Sequence, residues 1–182
     1  MIIFKNTNST RDWAVYHSGM NDPDAYLALN QTYTKEASYN FSNNTAPTSS
    51  VFSVGTLNGN NGSSQEYIAY CFAEKQGYSK FGSYTGNGST NGIFIYTGFR
   101  PAWVVFKNIS ASNDWFMIDI KRDTLAPNNP VGRKSLEAND SAAEVTRTTK
   151  DMDFVSNGIK LRTADGTQNN SAENYVYMAF AE

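Results

Sequence analysis

The chain has 182 residues and a formal net charge of −2 at pH 7, a length suited to one domain or two small ones. Charged residues make up only 18%, whereas Asn, Ser and Thr together number 55. These three types favour turns and caps over helix interiors, which disfavours a helical bundle, and the slight acidic surplus excludes the basic surface that nucleic acids need. An aromatic content of 14% indicates a buried core, so the composition predicts a neutral, turn-rich β protein.

Further classes of protein are excluded by single residue types. Cys71 is the only cysteine and His17 the only histidine, so we expect no disulfide, no cysteine-based zinc site and no His pair. No stretch approaches the roughly 18 apolar residues of a membrane span, and the first five residues lack a signal-peptide apolar region. We therefore expect no cofactor, no metal site and no membrane insertion.

An internal repeat dominates the chain. Residues 2–6 (IIFKN) return as 104–108 (VVFKN), and the pair at 12–13 (DW) returns at 114–115, all at an offset of 102. Residues 67–74 (YIAYCFAE) return as 175–182 (YVYMAFAE) at an offset of 108. Matched ends in the same order predict a duplication. We define unit 1 as residues 1–74 and unit 2 as residues 75–182.

Strands are predicted at equivalent places in both units. Short apolar runs at 13–16 and 115–118 follow Asx-rich turns, and 51–54 and 159–162 occupy matching positions. The last strand of each unit follows a turn signal, Asn58-Gly59 or Asp165-Gly166. Residues 141–145 could form one helical turn. The fold class predicted is an all-β antiparallel β-sandwich, jelly-roll-like, built from an internal duplication with few or no helices.

Unit 2 begins with a segment that unit 1 lacks. In residues 75–103, aromatic residues precede a Gly-Asn-rich turn at 86–92, and a strand is predicted at 93–97. We interpret this segment as the opening hairpin of unit 2, leading directly into the strand at 103–107. Unit 1 is then either truncated or completed by a strand from a neighbouring chain.

Several single residues receive structural interpretations. Trp13, Trp115 and Trp103 are predicted to lie in the core, because aromatic residues at repeated positions suggest a repeated packing role. Other expectations are a surface position for His17, a small buried side chain at Cys71, Asx turns at Asp12 and Asp114, and edge-strand charges at Lys5, Lys107 and Arg100.

A ligand site, if present, is expected on the glycine-rich segment and its flanks. Tyrosine combined with Ser, Gly and Asn is the composition of adaptable recognition surfaces, although the same mixture also makes soluble turns. The candidate ligand-binding residues are Tyr78, Tyr84, Asn87, Asn91 and Tyr96. Exposed tyrosines are also expected at Tyr26, Tyr33 and Tyr39.

Acidic residues offer only weak alternatives. The D-x-D pairs at 22–24 and 151–153 do not continue into a twelve-residue calcium loop. No pair among the 17 Asp and Glu residues stands out as a glycosidase dyad. We therefore expect no catalytic residue and no enzyme activity.

Four blocks carry a family resemblance: 67–74 (YIAYCFAE), 77–88 (GYSKFGSYTGNG), 96–104 (YTGFRPAWV) and 175–182 (YVYMAFAE). As a linked set they resemble a repeat module of marine tailed-phage virion structural proteins, a tail-fibre-like family that can accompany lectin-like β-sandwich domains. The resemblance implies a virion structural protein on the particle surface, in a tail fibre or similar appendage. It also implies homo-oligomers, commonly trimers, contacts with other virion proteins, and in some cases binding of a host surface glycan.

Two alternatives stay open at this point. One is a capsid decoration or assembly protein that binds no glycan. The other is an enzyme acting on surface polysaccharide, which would need two acidic residues close together in a groove.

Overall fold

A computed structural model describes residues 1–122, 131–132 and 134–182, with only the backbone at 131–132. The strands are β1 Ile2–Asn6, β2 Ala14–Tyr16, β3 Ala25–Ala28, β4 Glu36–Ala37, β5 Tyr67–Cys71, β6 Ser79–Thr85, β7 Phe94–Tyr96, β8 Pro101–Asn108, β9 Phe116–Asp119, β10 Val131–Gly132, β11 Lys134–Glu137, β12 Val145–Thr146, β13 Met152–Val155, β14 Gly158–Leu161 and β15 Asn174–Ala181. A 3-10 helix at Ser18–Met20 follows β2. The all-β prediction is confirmed. The helical turn at 141–145 and the strand at 51–54 are wrong, since 141–144 and 51–54 are irregular.

The strands form three antiparallel sheets. The first sheet has the order β4-β3-β2-β1-β5, and the second has the order β12-β11-β9-β8-β15-β6. The third sheet has the order β10-β13-β14-β7. Every pairing given for these strands is antiparallel, as expected for a chain whose connections are mostly short turns.

The second sheet lies between the other two, so its central strands β8 and β15 are covered on both faces. Ile3 and Leu27 of the first sheet share one apolar cluster with Val176 of the second. Ile118, on the opposite face of the second sheet, belongs to a cluster with Ile159 of the third. The outer face of the first sheet carries a smaller cluster, built around Phe41 from a loop. The predicted antiparallel β-sandwich is confirmed.

The strand pairings of the two units coincide residue by residue. In unit 1, Ile2 of β1 pairs with Tyr16 of β2 and with Cys71 of β5. In unit 2, Val104 of β8 pairs with Ile118 of β9 and with Ala179 of β15. These partners are separated by the same offsets, 102 and 108, that relate the repeated blocks of sequence. Duplication as the origin of this correspondence stays a prediction.

The opening segment of unit 2 is not a hairpin, which corrects the sequence interpretation. β6 pairs with β15 in the second sheet, whereas β7 pairs with β14 in the third. The connecting turn is held by Asn169, whose buried amide donates to Asn87 Oδ1, Ser89 O and Thr163 O at 2.7–3.0 Å. Because this turn is anchored between the sheets, its two flanking strands enter different layers.

Candidate functional site

β5 of unit 1 is an edge strand whose outer side is open among the described residues. Its inner side follows β1, where Met1 N donates to Phe72 O at 3.0 Å and Thr7 N donates to Glu66 O at 2.9 Å. In an antiparallel pair, only alternate residues exchange backbone hydrogen bonds with a given neighbour. The backbone N–H and C=O groups of Tyr67, Ala69 and Cys71 therefore point outward, away from β1.

The corresponding edge in unit 2 is occupied. The residues of β15 that correspond to Tyr67, Ala69 and Cys71 pair with residues of β6. In register, these pairs are Tyr175 with Tyr84, Tyr177 with Gly82 and Ala179 with Lys80. β6 thus covers in unit 2 the edge that β5 leaves open in unit 1.

The face of β5 opposite a groove at this edge also differs in burial from its counterpart in unit 2, which packs against the first sheet. Ile68 and Tyr70 on β5 are 47% and 44% exposed. Their counterparts on β15, Val176 and Met178, are 1% and 7% exposed. The unit 1 strand therefore presents apolar side chains to solvent that its unit 2 counterpart buries.

A groove of about 440 Å³ lies beside the open edge. Its lining includes Ile2, Tyr16, Val51, Phe52 and Cys71. We call this groove, together with the outward backbone of β5, the acceptor surface.

Unit 2 fills the equivalent space with its own opening segment. Val104, Ile118 and Ala179 correspond to Ile2, Tyr16 and Cys71, and they belong to one buried cluster with Ile95 and Phe99. Both of these apolar residues belong to the opening segment. Residues 1–74 contain no counterpart of that segment, and the groove is open among the described residues.

Val51 shows the effect of this difference on one position. Its unit 2 counterpart, Ile159, pairs with Ile95 of β7 and is fully buried, whereas Val51 is 65% exposed. Residues 51–54 are mostly apolar, but they have no neighbouring strand to pair with in the part of the chain that the structure describes.

Cys71 and His17 are not where the sequence analysis expected them. Cys71 is exposed, because the strand and sheet that bury Ala179 have no counterpart over β5. His17 is 1% exposed and lies between the units, where its Nδ1 accepts from Gly19 N and its Nε2 donates to Tyr177 O, each at 3.0 Å. Burial lowers the pKa of His17 to about 4.

The lysines predicted to protect strand edges lie on interior strands, so that expectation is wrong. Lys107 on β8 is fully buried and donates to the carbonyls of Thr32 and Asn113. Burial lowers the pKa of Lys107 to about 8. Lys5 on β1 donates to Arg11 O at 2.7 Å, and Arg100 directly precedes β8, which is paired on both sides. Lys5 and Lys107 fix loops, and β5 itself carries no charge or proline that would discourage pairing.

The aspartates at 12 and 114 do not form the predicted Asx turns. Asp12 instead accepts from Asn30 Nδ2 at 2.7 Å, and Asp114 accepts from Asn139 Nδ2 at 2.8 Å. The same two asparagines accept the backbone N–H of the following tryptophans, Trp13 and Trp115. The Asx turns are made by residues 6 and 108, a role that the sequence analysis missed although both positions lie in the repeated blocks.

Trp115 is buried in the core, which confirms that prediction, and its Nε1 donates to Ala28 O at 2.8 Å. Trp13 and Trp103 are half-buried at the margin of the same cluster. The tryptophans thus help join the first and second sheets.

The structure does not bring the five candidate ligand residues together. Tyr84 points inward, stacked on Tyr175 at 5.0 Å between ring centroids, with its hydroxyl donating to Gln168 O. Tyr78 precedes β6 while Asn87 follows it, so about 20 Å of extended strand separates them. Asn87, Asn91 and the 64%-exposed Tyr96 remain on the surface, and glycan binding there stays a prediction.

Of the six tyrosines expected to be exposed, three are exposed: Tyr39 at 67%, Tyr96 at 64% and Tyr78 at 50%. Tyr26 donates to Glu36 Oε2 and stacks on Phe41, and Tyr33 donates to Asp12 Oδ2. Phe94 on β7, at 46% exposure beside Tyr96, is an exposed aromatic residue that the sequence analysis did not single out.

The acidic pairs are engaged in structural contacts. Asp24 Oδ1 accepts from the backbone N–H of Ser42 and Asn44, and Asp153 accepts from Arg162 Nε at 2.6 Å. Within the described ranges, no three His, Cys, Asp or Glu side chains are placed to hold a metal ion together. In the same part of the chain, no helix is long and apolar enough to cross a membrane.

Comparison with known proteins identifies the family to which the chain belongs. The family model for a domain of unknown function, DUF7483, matches residues 1–182, so the chain belongs to the DUF7483 family. Neither the curated proteins nor the solved structures gave a match. The resemblance to tailed-phage virion modules stays a prediction.

Proposed function

We propose that the chain is a structural component of a tailed-phage particle, in a tail fibre or similar surface appendage. It acts by assembling with other chains and catalyses no reaction. The observation that best supports assembly with other chains is the acceptor surface, an uncharged strand edge that is open among the described residues and lies beside an apolar groove. Such edges template pairing with another chain, and proteins that remain monomeric usually block them. The place in a phage particle is supported by the sequence resemblance.

The size and chemistry of the acceptor surface support assembly over catalysis. Its lining consists mainly of aliphatic and aromatic side chains, and Glu74 is the one acidic residue in that lining. A glycosidase needs two carboxyl groups facing each other across the scissile bond. An apolar groove next to outward backbone groups is suited to an extended polypeptide segment. Such a segment supplies backbone groups that pair with β5 and apolar side chains that fill the groove.

Immunogold labelling tests the proposal. Antibodies raised against the purified chain would be applied to phage particles whose genome encodes it, and gold is expected on the tail or its appendages. Gold on the capsid shell would replace the proposal with the decoration-protein alternative. Particles without gold, where detergent-opened particles also lack the chain by immunoblot, would overturn both.

A further inference from the structure

We propose that the acceptor surface binds an extended polypeptide segment from outside residues 1–182, with the chemistry of this chain's own residues 79–99. This inference rests on the proposed function and identifies the partner of the same surface. The donor's first strand would pair with β5 as β6 pairs with β15. Its following apolar residues would enter the groove as Ile95 and Phe99 enter the unit 2 core.

A second copy of this chain is a poor donor, because the chain carries one such segment for two equivalent sites. The segment is already engaged, with Phe81, Ile95 and Phe99 only 5%, 4% and 8% exposed. If one copy gave this segment to unit 1 of a second copy, the first copy's own unit 2 would be left with an open groove. A donor outside the 182 residues satisfies both sites without that loss.

The first residue of β5, Tyr67, is already held as its counterpart in unit 2 is held. Tyr67 OH donates to Asn58 O and accepts from Gly62 N, each at 2.8 Å. Tyr175 OH makes the equivalent pair of bonds with Gly166 O and Asn170 N. The two tyrosine rings are therefore held in the same way, although only the ring of Tyr175 has a partner, Tyr84, stacked on it at 5.0 Å.

This register predicts the residues that the donor strand requires. Opposite Tyr67 it should carry an aromatic residue, as Tyr84 lies opposite Tyr175. Opposite Ala69 the donor is unrestricted, whereas unit 2 needs Gly82 because a Cβ there would lie 2.8 Å from the Tyr177 ring. A donor therefore resembles β6 in its aromatic positions but does not need its glycine.

Cys71 provides a direct probe of occupancy, since it is the only cysteine and lies on the open edge. A synthetic peptide of residues 75–99 would be added to the full chain, and the rate of Cys71 modification by Ellman's reagent measured. We expect saturable protection, with at least a tenfold lower rate at saturating peptide. A peptide carrying Ile95→Asp and Phe99→Asp should give no protection, because its charges cannot enter the groove.

Two variants of the chain separate strand pairing from groove filling. Ala69→Pro removes an outward N–H while leaving the bonds to β1, and it should weaken peptide binding at least tenfold. Ala69→Thr keeps that N–H and should bind as the unchanged chain does. Equal protection by the native and the doubly charged peptides, or no protection by either, would overturn the inference regardless of how Ala69→Pro folds.

One further result would overturn this inference without overturning the proposed function. Protection of Cys71 that rises with chain concentration alone, with dimers in sedimentation velocity, would show β5 pairing with β5 of a second copy. That result would overturn the donor segment, while assembly through this surface would stand. Absence of the chain from phage particles would overturn the proposed function, whatever the peptide does.

Discussion

The fold should lose stability as pH is lowered, and one identifiable contribution to this loss comes from the His17 imidazole. Its Nδ1 accepts the Gly19 N–H, so the neutral tautomer carries its proton on Nε2 and donates to Tyr177 O. Protonation would place a second N–H against Gly19 N and a charge in a site that is 1% exposed. The folded state therefore strongly prefers the neutral ring.

The expected size follows from the two pKa values. Burial lowers the folded pKa to about 4, and the nearby N-terminal amine acts in the same direction while Glu74 and the bond to Tyr177 oppose it. An unfolded histidine titrates near 6.5, so the unfolded state binds more protons between pH 4 and 6.5. The contribution of His17 to the free energy of unfolding should fall by about 3 kcal/mol as pH drops through this window, and should level off below it.

Urea unfolding followed by tryptophan fluorescence, at pH values from 7.5 to 4, measures this loss. His17→Gln serves as the comparison, because a glutamine amide can donate to Tyr177 O but does not titrate. The wild-type chain should lose its stability advantage over His17→Gln progressively as pH falls. The carboxylates titrate in both proteins, so their contribution cancels in the difference.

Parallel pH profiles for the two proteins would refute this reasoning. Because His17 is the only histidine, its ring gives a single imidazole signal in a proton NMR titration. A midpoint near 4 is expected, and a midpoint near 6.5 in the folded protein would show that the ring is not held as described.

Two further substitutions test the packing and the repeated hydrogen bonds. Gly82→Ala should lower the free energy of unfolding by about 1–3 kcal/mol, because its Cβ would lie 2.8 Å from the Tyr177 ring, whereas Gly166→Ala, with no atom within 4 Å of its Cβ, should change it by less than about 0.5 kcal/mol. Equal urea midpoints for these two variants would contradict the close approach. Asn139→Ala removes the acceptor of the Trp115 N–H and should cost about 1–3 kcal/mol in the same assay, and an unchanged midpoint would argue that solvent replaces this bond.

The repeat made much of the fold predictable, since an offset between similar blocks transfers pairing from one unit to the other. The alternation in β14 was also legible, with Ile159 and Leu161 buried on either side of Lys160, which is only partly exposed. The equivalent residues 51–54 (VFSV) are mostly apolar without that alternation, and they form no strand. Periodicity reports which face of a segment is apolar, and a strand also needs a neighbour to bond with.

The predictions for the burial of Cys71 and His17 were wrong for a related reason. Aligning Cys71 with Ala179 treats burial as a property of the position, whereas burial depends on what lies opposite, and nothing in the described chain covers Cys71. His17 is buried by contact between the units, which no comparison of one unit with the other can reveal. The block at 75–103, which has no match in residues 1–74, was visible in the sequence, and the structure pairs its strands with β15 and β14, whereas the outer side of β5 is open among the described residues.

The bonds that cross from one unit to the other have a consequence for the assembled state. Trp115 donates to Ala28 O and Lys107 donates to Thr32 O, and one apolar cluster spans both units. Units joined in this way are expected to unfold together, so a ligand that binds one of them stabilises the whole chain by mass action. A donor present at 100 times its dissociation constant would add about 2.7 kcal/mol. The free energy of unfolding would then be higher after the chain joins the assembly than before. This increase would also apply to the surroundings of Trp115, although Trp115 lies in unit 2 and the donor binds unit 1.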